Sequence, residues 1–150
     1  MPRLSESCKH VLLIDDDPEE FDLFEISVAQ ANLPVSLRYA NYCDIDKINQ
    51  LPKPDFIFLD INMPMFDGFY WLQIIRKEVA EEIPIIIYST TMNQQRVNLA
   101  YQLGANLFLS KPDTVDTLVE ALQLILKIDW SSPRKVAEDS FAKDAFHLTF

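Results

Sequence analysis

A chain of 150 residues, 49% of them hydrophobic, can bury one core and leaves no room for a second functional domain. Its formal net charge of -10 works against binding to phosphate backbones, which draws on clustered Lys and Arg, so direct DNA contact is not expected. Cys8 and Cys43 are the only cysteines, and no apolar leader or bilayer-length apolar run is present, so the expectation is a reduced, cytoplasmic protein without a membrane segment.

Val11-Leu12-Leu13-Ile14 is the first short apolar run, read as a buried strand, and it ends in three acids, Asp15-Asp16-Asp17. Asp17 suits a helix N-cap, with Pro18 at the first helical position and Glu19 and Glu20 in the positive first turn. Phe21, Phe24, Val28 and Ala31 then recur at helical spacing. Residues 35–40 read as a second strand, and a short helix after Asp44, with Ile45, Ile48 and Leu51 inward, stops before Pro52-Lys53-Pro54. The run Asp55-Phe56-Ile57-Phe58-Leu59 is a third strand, and it delivers Asp60. After Asp67, read as a turn residue, and Gly68, the residues Phe69, Leu72, Ile75 and Val79 mark a third helix.

Ile83-Pro84-Ile85-Ile86-Ile87-Tyr88 is the fourth strand, ending in Ser89, Thr90 and Thr91. Residues 93–103 form a fourth helix closed by Gly104, and residues 106–110 a fifth strand leading into Lys111-Pro112. Val115, Leu118, Val119, Leu122, Ile125 and Leu126 give a fifth helix. Strand and helix thus alternate, the pattern of a doubly wound parallel α/β sheet with helices on both faces. Residues 129–150 are a more polar tail, read either as frayed or as an extra helix capped by Ser132, with Ala137, Phe141, Ala145 and Leu148 on one face, docking on the domain or on a partner.

If the strands run parallel, acid, acid, hydroxyl and lysine converge at one edge of the sheet, where such folds place their chemistry. Burial of Asp60 is costly unless a cation stands nearby. Two carboxylates ~4 Å apart repel by about 1 kcal/mol in water and about 4 kcal/mol at an effective dielectric of ~20, so a cluster of three calls for a metal ion and Lys111. Gly68 and Gly104 are the only glycines, so neither a Walker A loop nor a dinucleotide fingerprint can be written. His10 and His147 are too scattered for a zinc site and are read as surface or packing residues.

Asp15-Asp16, Asp60 with Met63-Pro64 and Asp67-Gly68, Ser89, Gly104-Ala105 and Lys111-Pro112, in this order and at these spacings, resemble the receiver domain of two-component response regulators over roughly residues 10–128. The resemblance implies a flavodoxin-like five-stranded parallel sheet in the order 2-1-3-4-5 flanked by five helices, with a domain over 1–128 and the tail beyond it. It makes Asp60 the phosphoacceptor, charged by a histidine kinase or a histidine phosphotransfer protein. A carboxylate is ionised at neutral pH and attacks without a base, and the acyl phosphate it forms is labile, so the chain would be a switch with some autodephosphorylation and not an ordinary enzyme. Asp15, Asp16, Asp60 and the main-chain carbonyl of Asn62 would hold Mg²⁺. Lys111 would pair with Asp60 at rest and with a phosphoryl oxygen afterwards, its direction fixed by a cis Lys111–Pro112 bond.

By the same resemblance Ser89 donates a hydrogen bond to the phosphoryl group and Phe108 is the switch aromatic, against the plainer reading of Phe108 as core. Thr90 departs from the smaller residue usual there and is expected to narrow access, while Asn62 and Thr91 lie where receivers tune dephosphorylation. Output would pass by protein contact or onward phosphotransfer to a downstream protein that the sequence does not identify. Ala121, Leu124 and Ile128 make a second apolar line, read either as a partner or homodimer surface using the fourth helix, fifth strand and fifth helix, or as covered by the tail helix. Two rivals stand beside this reading. One is a hydrolase of the haloacid dehalogenase type with Asp15 as nucleophile, Ser89 and Lys111 supplying its later motifs, which leaves Asp60 unexplained. The other is a receiver-like scaffold that is never phosphorylated.

Overall fold

Each α/β unit begins with an apolar strand and turns into a helix at a short polar side chain that takes up the free amides of the first turn. The computed structural model describes residues 8–62, 67–79, 82–90 and 93–150, so Met63, Pro64 and Thr91 lie outside the described residues. In chain order the elements are β1 (Lys9–Ile14), α1 (Pro18–Gln30), β2 (Val35–Ala40), α2 (Ile45–Asn49), β3 (Phe56–Leu59), α3 (Gly68–Glu78), β4 (Ile85–Ser89), α4 (Gln94–Gln102), β5 (Leu107–Ser110), α5 (Val115–Lys127), α6 (Pro133–Ala142) and β6 (His147–Leu148). Asp17, Asp44, Asp67 and Asn93 each accept an amide N–H from the first turn of the following helix, and Thr114 forms a reciprocal capping box with Thr117. Asp67, expected as a turn residue, is the N-cap of α3.

The strands lie in the order β2-β1-β3-β4-β5-β6, every pairing parallel. Every residue of β3 and β4 is buried, the mark of a parallel sheet covered on both faces. Gly68 opens α3 against the loop that follows β3: a Cβ there would come 2.8 Å from the Asp60 carbonyl oxygen, so no larger residue fits without movement. Gly104 ends α4 at φ +105, in the left-handed region glycine enters at little cost. No helix among the described residues is long and apolar enough to cross a membrane.

The expected order of the first five strands holds, and the tail adds a two-residue strand, β6, beside β5. Three expectations are corrected. The tail helix ends at Ala142, so Ala145 and Leu148 do not continue its face; Asp144 takes φ +59, and Phe146 inserts at 2% exposure. Phe146 packs edge-on to Tyr101, whose ring stacks on Phe141 at 3.9 Å, and the Phe146 carbonyl accepts the Phe108 N–H at 3.0 Å. Leu51 is 79% exposed, not inward, since α2 stops at Asn49 and Gln50 is already extended.

The apolar line Ala121, Leu124 and Ile128 is likewise not an open stripe. Ala121 is fully buried under the sheet, and of the three only Leu124 is well exposed.

Candidate functional site

The strand order reverses about β1 and β3, so the chain leaves these neighbours in opposite directions and a crevice opens at their carboxyl ends. Ile14 pairs with Leu59, and the residues that follow, Asp15 and Asp60, come side by side. Backbone bonds hold both: the Asp60 N–H donates to the Ile14 carbonyl and the Asp15 N–H to the Ala40 carbonyl, each at 3.0 Å. One strand further, Ser89 pairs with Ser110, and Lys111 follows with its N–H on the Ser89 carbonyl at 2.8 Å. That bond and the ion pairs below direct the lysine. The expected cis Lys111–Pro112 bond is not found, the cis peptide among the described residues being Leu51–Pro52.

Carboxylate oxygens of Asp15, Asp16 and Asp60 all lie within 4.8 Å of one another, Asp16 exposed and the other two buried. Lys111 Nζ stands 2.9 Å from Asp15 Oδ2 and 3.4 Å from Asp60 Oδ2, and 5.4 Å from the centre of the Tyr88 ring. Burial pushes the Asp15 carboxyl up to about 6, against the opposing pull of Lys111 and of the Asp17 N–H; the Asp60 charge adds to the rise. Burial works against the Lys111 ammonium, yet its contact with Asp15 and the charge of Asp60 outweigh it and hold the pKa above its ordinary value.

Asp15 Oδ2 is buried, with the Lys111 ammonium at 2.9 Å and no further polar partner among the described residues. A cluster of three carboxylates, two of them buried, fits a hard divalent cation such as Mg²⁺. Asn62 is placed beside this group: its N–H donates to Asp60 Oδ1 at 2.9 Å, and its side-chain amide donates to Ser89 Oγ at 2.8 Å. Ser89 is fully buried at the end of β4. Thr90, next in the chain, is exposed.

Phe108 is fully buried in β5 with its ring edge-on to His147 at 5.1 Å, and the His147 ring also hydrogen-bonds Ser110 Oγ at 2.7 Å. His147 is thus a packing residue, as its isolation in the sequence suggested, though its contacts reach the strand that carries Lys111. Three residues without a spacing signal also border the site. The Tyr88 hydroxyl donates to Glu20 Oε1 at 3.0 Å, fastening the start of α1 to β4. Arg96, in a polar stretch of α4, donates to Asn62 Oδ1 at 3.0 Å.

The arrangement offers a carboxylate, Asp60, flanked by a lysine, a hydroxyl and an acidic cation cradle. Asp15 is fully buried with Lys111 Nζ at 2.9 Å, and Asp60 is 3% exposed with Lys111 Nζ at 3.4 Å, so both carboxylates face the same cation.

The family model described as the response regulator receiver domain matches residues 11–123. Sensory transduction protein BceR of Halalkalibacterium halodurans is 32% identical over 117 residues, which are 78% of this chain and 49% of that protein. The chain thus spans about half the length of the curated relatives it matches. Among solved structures, the Mn(2+)-bound form of response regulator Rcp1 superimposes with a TM-score of 0.65 at 24% identity, covering 83% of this chain and 95% of that one. The phosphorylated cyanobacterial phytochrome response regulator RcpA gives 0.68 at 22%, covering 84% and 96%.

Proposed function

The chain belongs to the response regulator receiver domain family, and from that premise we propose that Asp60 is its phosphoacceptor, charged by a histidine kinase or a histidine phosphotransfer protein. The observation that carries the reading is the position of Asp60. It follows β3 directly, has Lys111 Nζ at 3.4 Å, and has one oxygen oriented by the Asn62 N–H.

An Asp60 oxygen forms a bond to the phosphorus of a phosphohistidine, the P–N bond breaks, and the departing imidazole takes up a proton. Lys111 moves its pairing from the carboxylate to a phosphoryl oxygen, and Ser89 donates to another, so that charge is met by fixed donors as it develops. Mg²⁺, held by Asp15, Asp16, Asp60 and the Asn62 carbonyl, would supply neutralisation of the charge on the phosphoryl oxygens. The Mn(2+) bound by Rcp1 supports a divalent ion in this family's fold. Phe108, buried against His147, is the residue through which the site is read at β5, and output passes by protein contact. A homodimer through α4, β5 and α5 would have to form around β6, which occupies the edge of β5, leaving Leu99 and Leu124 as its exposed apolar contacts.

Intact mass after incubation with Mg²⁺ and phosphoramidate tests the proposal. Wild type is expected to gain one phosphoryl group that EDTA prevents and that Asp60→Asn abolishes. No adduct and no released phosphate would overturn it in favour of a scaffold that is never phosphorylated.

A further inference from the structure

Between α4 and the end of β4 runs a chain of side-chain hydrogen bonds: Arg96 Nη2 to Asn62 Oδ1 at 3.0 Å, then Asn62 Nδ2 to Ser89 Oγ at 2.8 Å. The direction of this chain is fixed by its first member. A guanidinium carries donors only, so the amide atom facing Arg96 must be the oxygen, and the nitrogen must therefore face Ser89. An amide nitrogen also only donates, so Ser89 Oγ is the acceptor and Asn62 occupies one of its lone pairs and not its hydrogen. Arg96 itself is held from below, its guanidinium 5.0 Å over the centre of the Phe69 ring at the start of α3. Its Nε is buried with no hydrogen-bond partner among the described residues.

Asn62 touches the reacting group as well as the hydroxyl, since its N–H donates to Asp60 Oδ1 at 2.9 Å. One residue thus spans Asp60 and Ser89, and because its side chain is exposed, its rotamer depends on its hydrogen bonds. Arg96 supplies one of them. Resting on the phosphoacceptor reading of Asp60, we infer that Arg96 is a positioning residue: it locks the Asn62 amide in the orientation that polarises and holds the Ser89 hydroxyl for the incoming phosphoryl group. Charge-assisted donation at the head of the chain strengthens the next bond in it, and the donor that finally meets the phosphoryl oxygen is pre-oriented.

The test is a double-mutant cycle on phosphoramidate-driven adduct formation with wild type, Arg96→Met, Ser89→Ala and the double variant, methionine keeping an apolar side chain over Phe69. Arg96→Met is expected to slow adduct formation about tenfold in the wild-type background and to add less than about twofold once Ser89 is alanine. Arg96→Lys, which still donates, should recover part of the rate. An equal tenfold loss in the Ser89→Ala background would overturn the inference, because Arg96 would then act on the phosphoryl group or the fold directly.

The resting network is read separately by side-chain amide NMR. Arg96→Met should shift the Asn62 amide resonance and speed its hydrogen exchange, and an unchanged amide would also overturn the inference. Failure of wild type to take up phosphoryl at all would instead sink the Asp60 reading, and the amide measurement would still decide whether Arg96 orients Asn62.

Discussion

Asp15 is where burial and charge are most opposed, and its titration has consequences for stability. Its carboxyl rises from 3.8 to about 6, burial being the main cause. An acid whose pKa is raised on folding binds its proton more tightly when folded. Without a metal ion the corresponding stability is fully present below about 4, falls as pH climbs to about 6, and stays lost above that. Asp15→Asn, which removes the buried charge and keeps the shape, is expected to stabilise the metal-free protein at pH 7.5 by on the order of 2 kcal/mol, seen as a higher urea midpoint. The same substitution should weaken Mg²⁺ binding at least tenfold by titration calorimetry, because a hard cation loses an anionic ligand. A lower urea midpoint would show that Asp15 is held by its ion pair more than it is penalised by burial. Thr90, exposed beside the buried Ser89, offers a second residue-level test. Thr90→Ala should speed adduct formation roughly threefold, a barrier change below ~1 kcal/mol, if its branched side chain narrows the approach.

The elements around the site are tied together by residues that have no part in the chemistry. Arg76 of α3 donates from Nε to the Gly104 carbonyl and from Nη1 to the Ile83 carbonyl, each at 2.8 Å, and from Nη2 to Asn106 Oδ1. The same Asn106 oxygen accepts the Ile85 N–H, and its amide donates to the Pro133 carbonyl at 2.9 Å. One guanidinium and one amide thus join α3, the start of β4, the end of α4 and the start of α6. Burial lowers the Arg76 pKa to about 10, but the group stays charged at neutral pH. Arg76→Leu removes the donor from the Gly104 and Ile83 carbonyls and one of two donors from Asn106 Oδ1, and is expected to destabilise by about 3 kcal/mol in urea unfolding. Arg134, whose backbone N–H contacts Glu82 at the surface, is a suitable control: Arg134→Ala keeps that bond and should cost less than about 0.5 kcal/mol.

At the scale of the molecule, what was legible in the sequence was whatever had a period or a cap. The four runs that end at Ile14, Leu59, Ser89 and Ser110 are continuous and apolar because a parallel sheet is covered on both faces, so the strand ends where the candidate site lies were legible in the sequence. β6 had no such signal. Two residues, His147 and Leu148, are too short for a period, and they pair only because β5 presents an unpaired edge there. Arg96 and Asn62 were separated by thirty-odd residues of sequence, and only the turn of α4 over β4 brings them together.

The question left for the whole chain is whether the tail is an appendage or a layer of the domain. Phe146 is 2% exposed against Tyr101 and Phe141 while Phe150 is 41% exposed, so the two phenylalanines give a matched pair. If the tail folds with the sheet, Phe146→Ala costs about 3 kcal/mol and lowers the urea midpoint without changing the slope of a single transition, while Phe150→Ala is nearly silent. An early separate transition in the Phe146→Ala variant, with the main midpoint unmoved, would show that α6 and β6 are held independently of the core they cover. The stack of Tyr101 on Phe141, which bridges α4 and α6 at 3.9 Å, together with the Phe108 N–H bonded to the Phe146 carbonyl, favours the single transition.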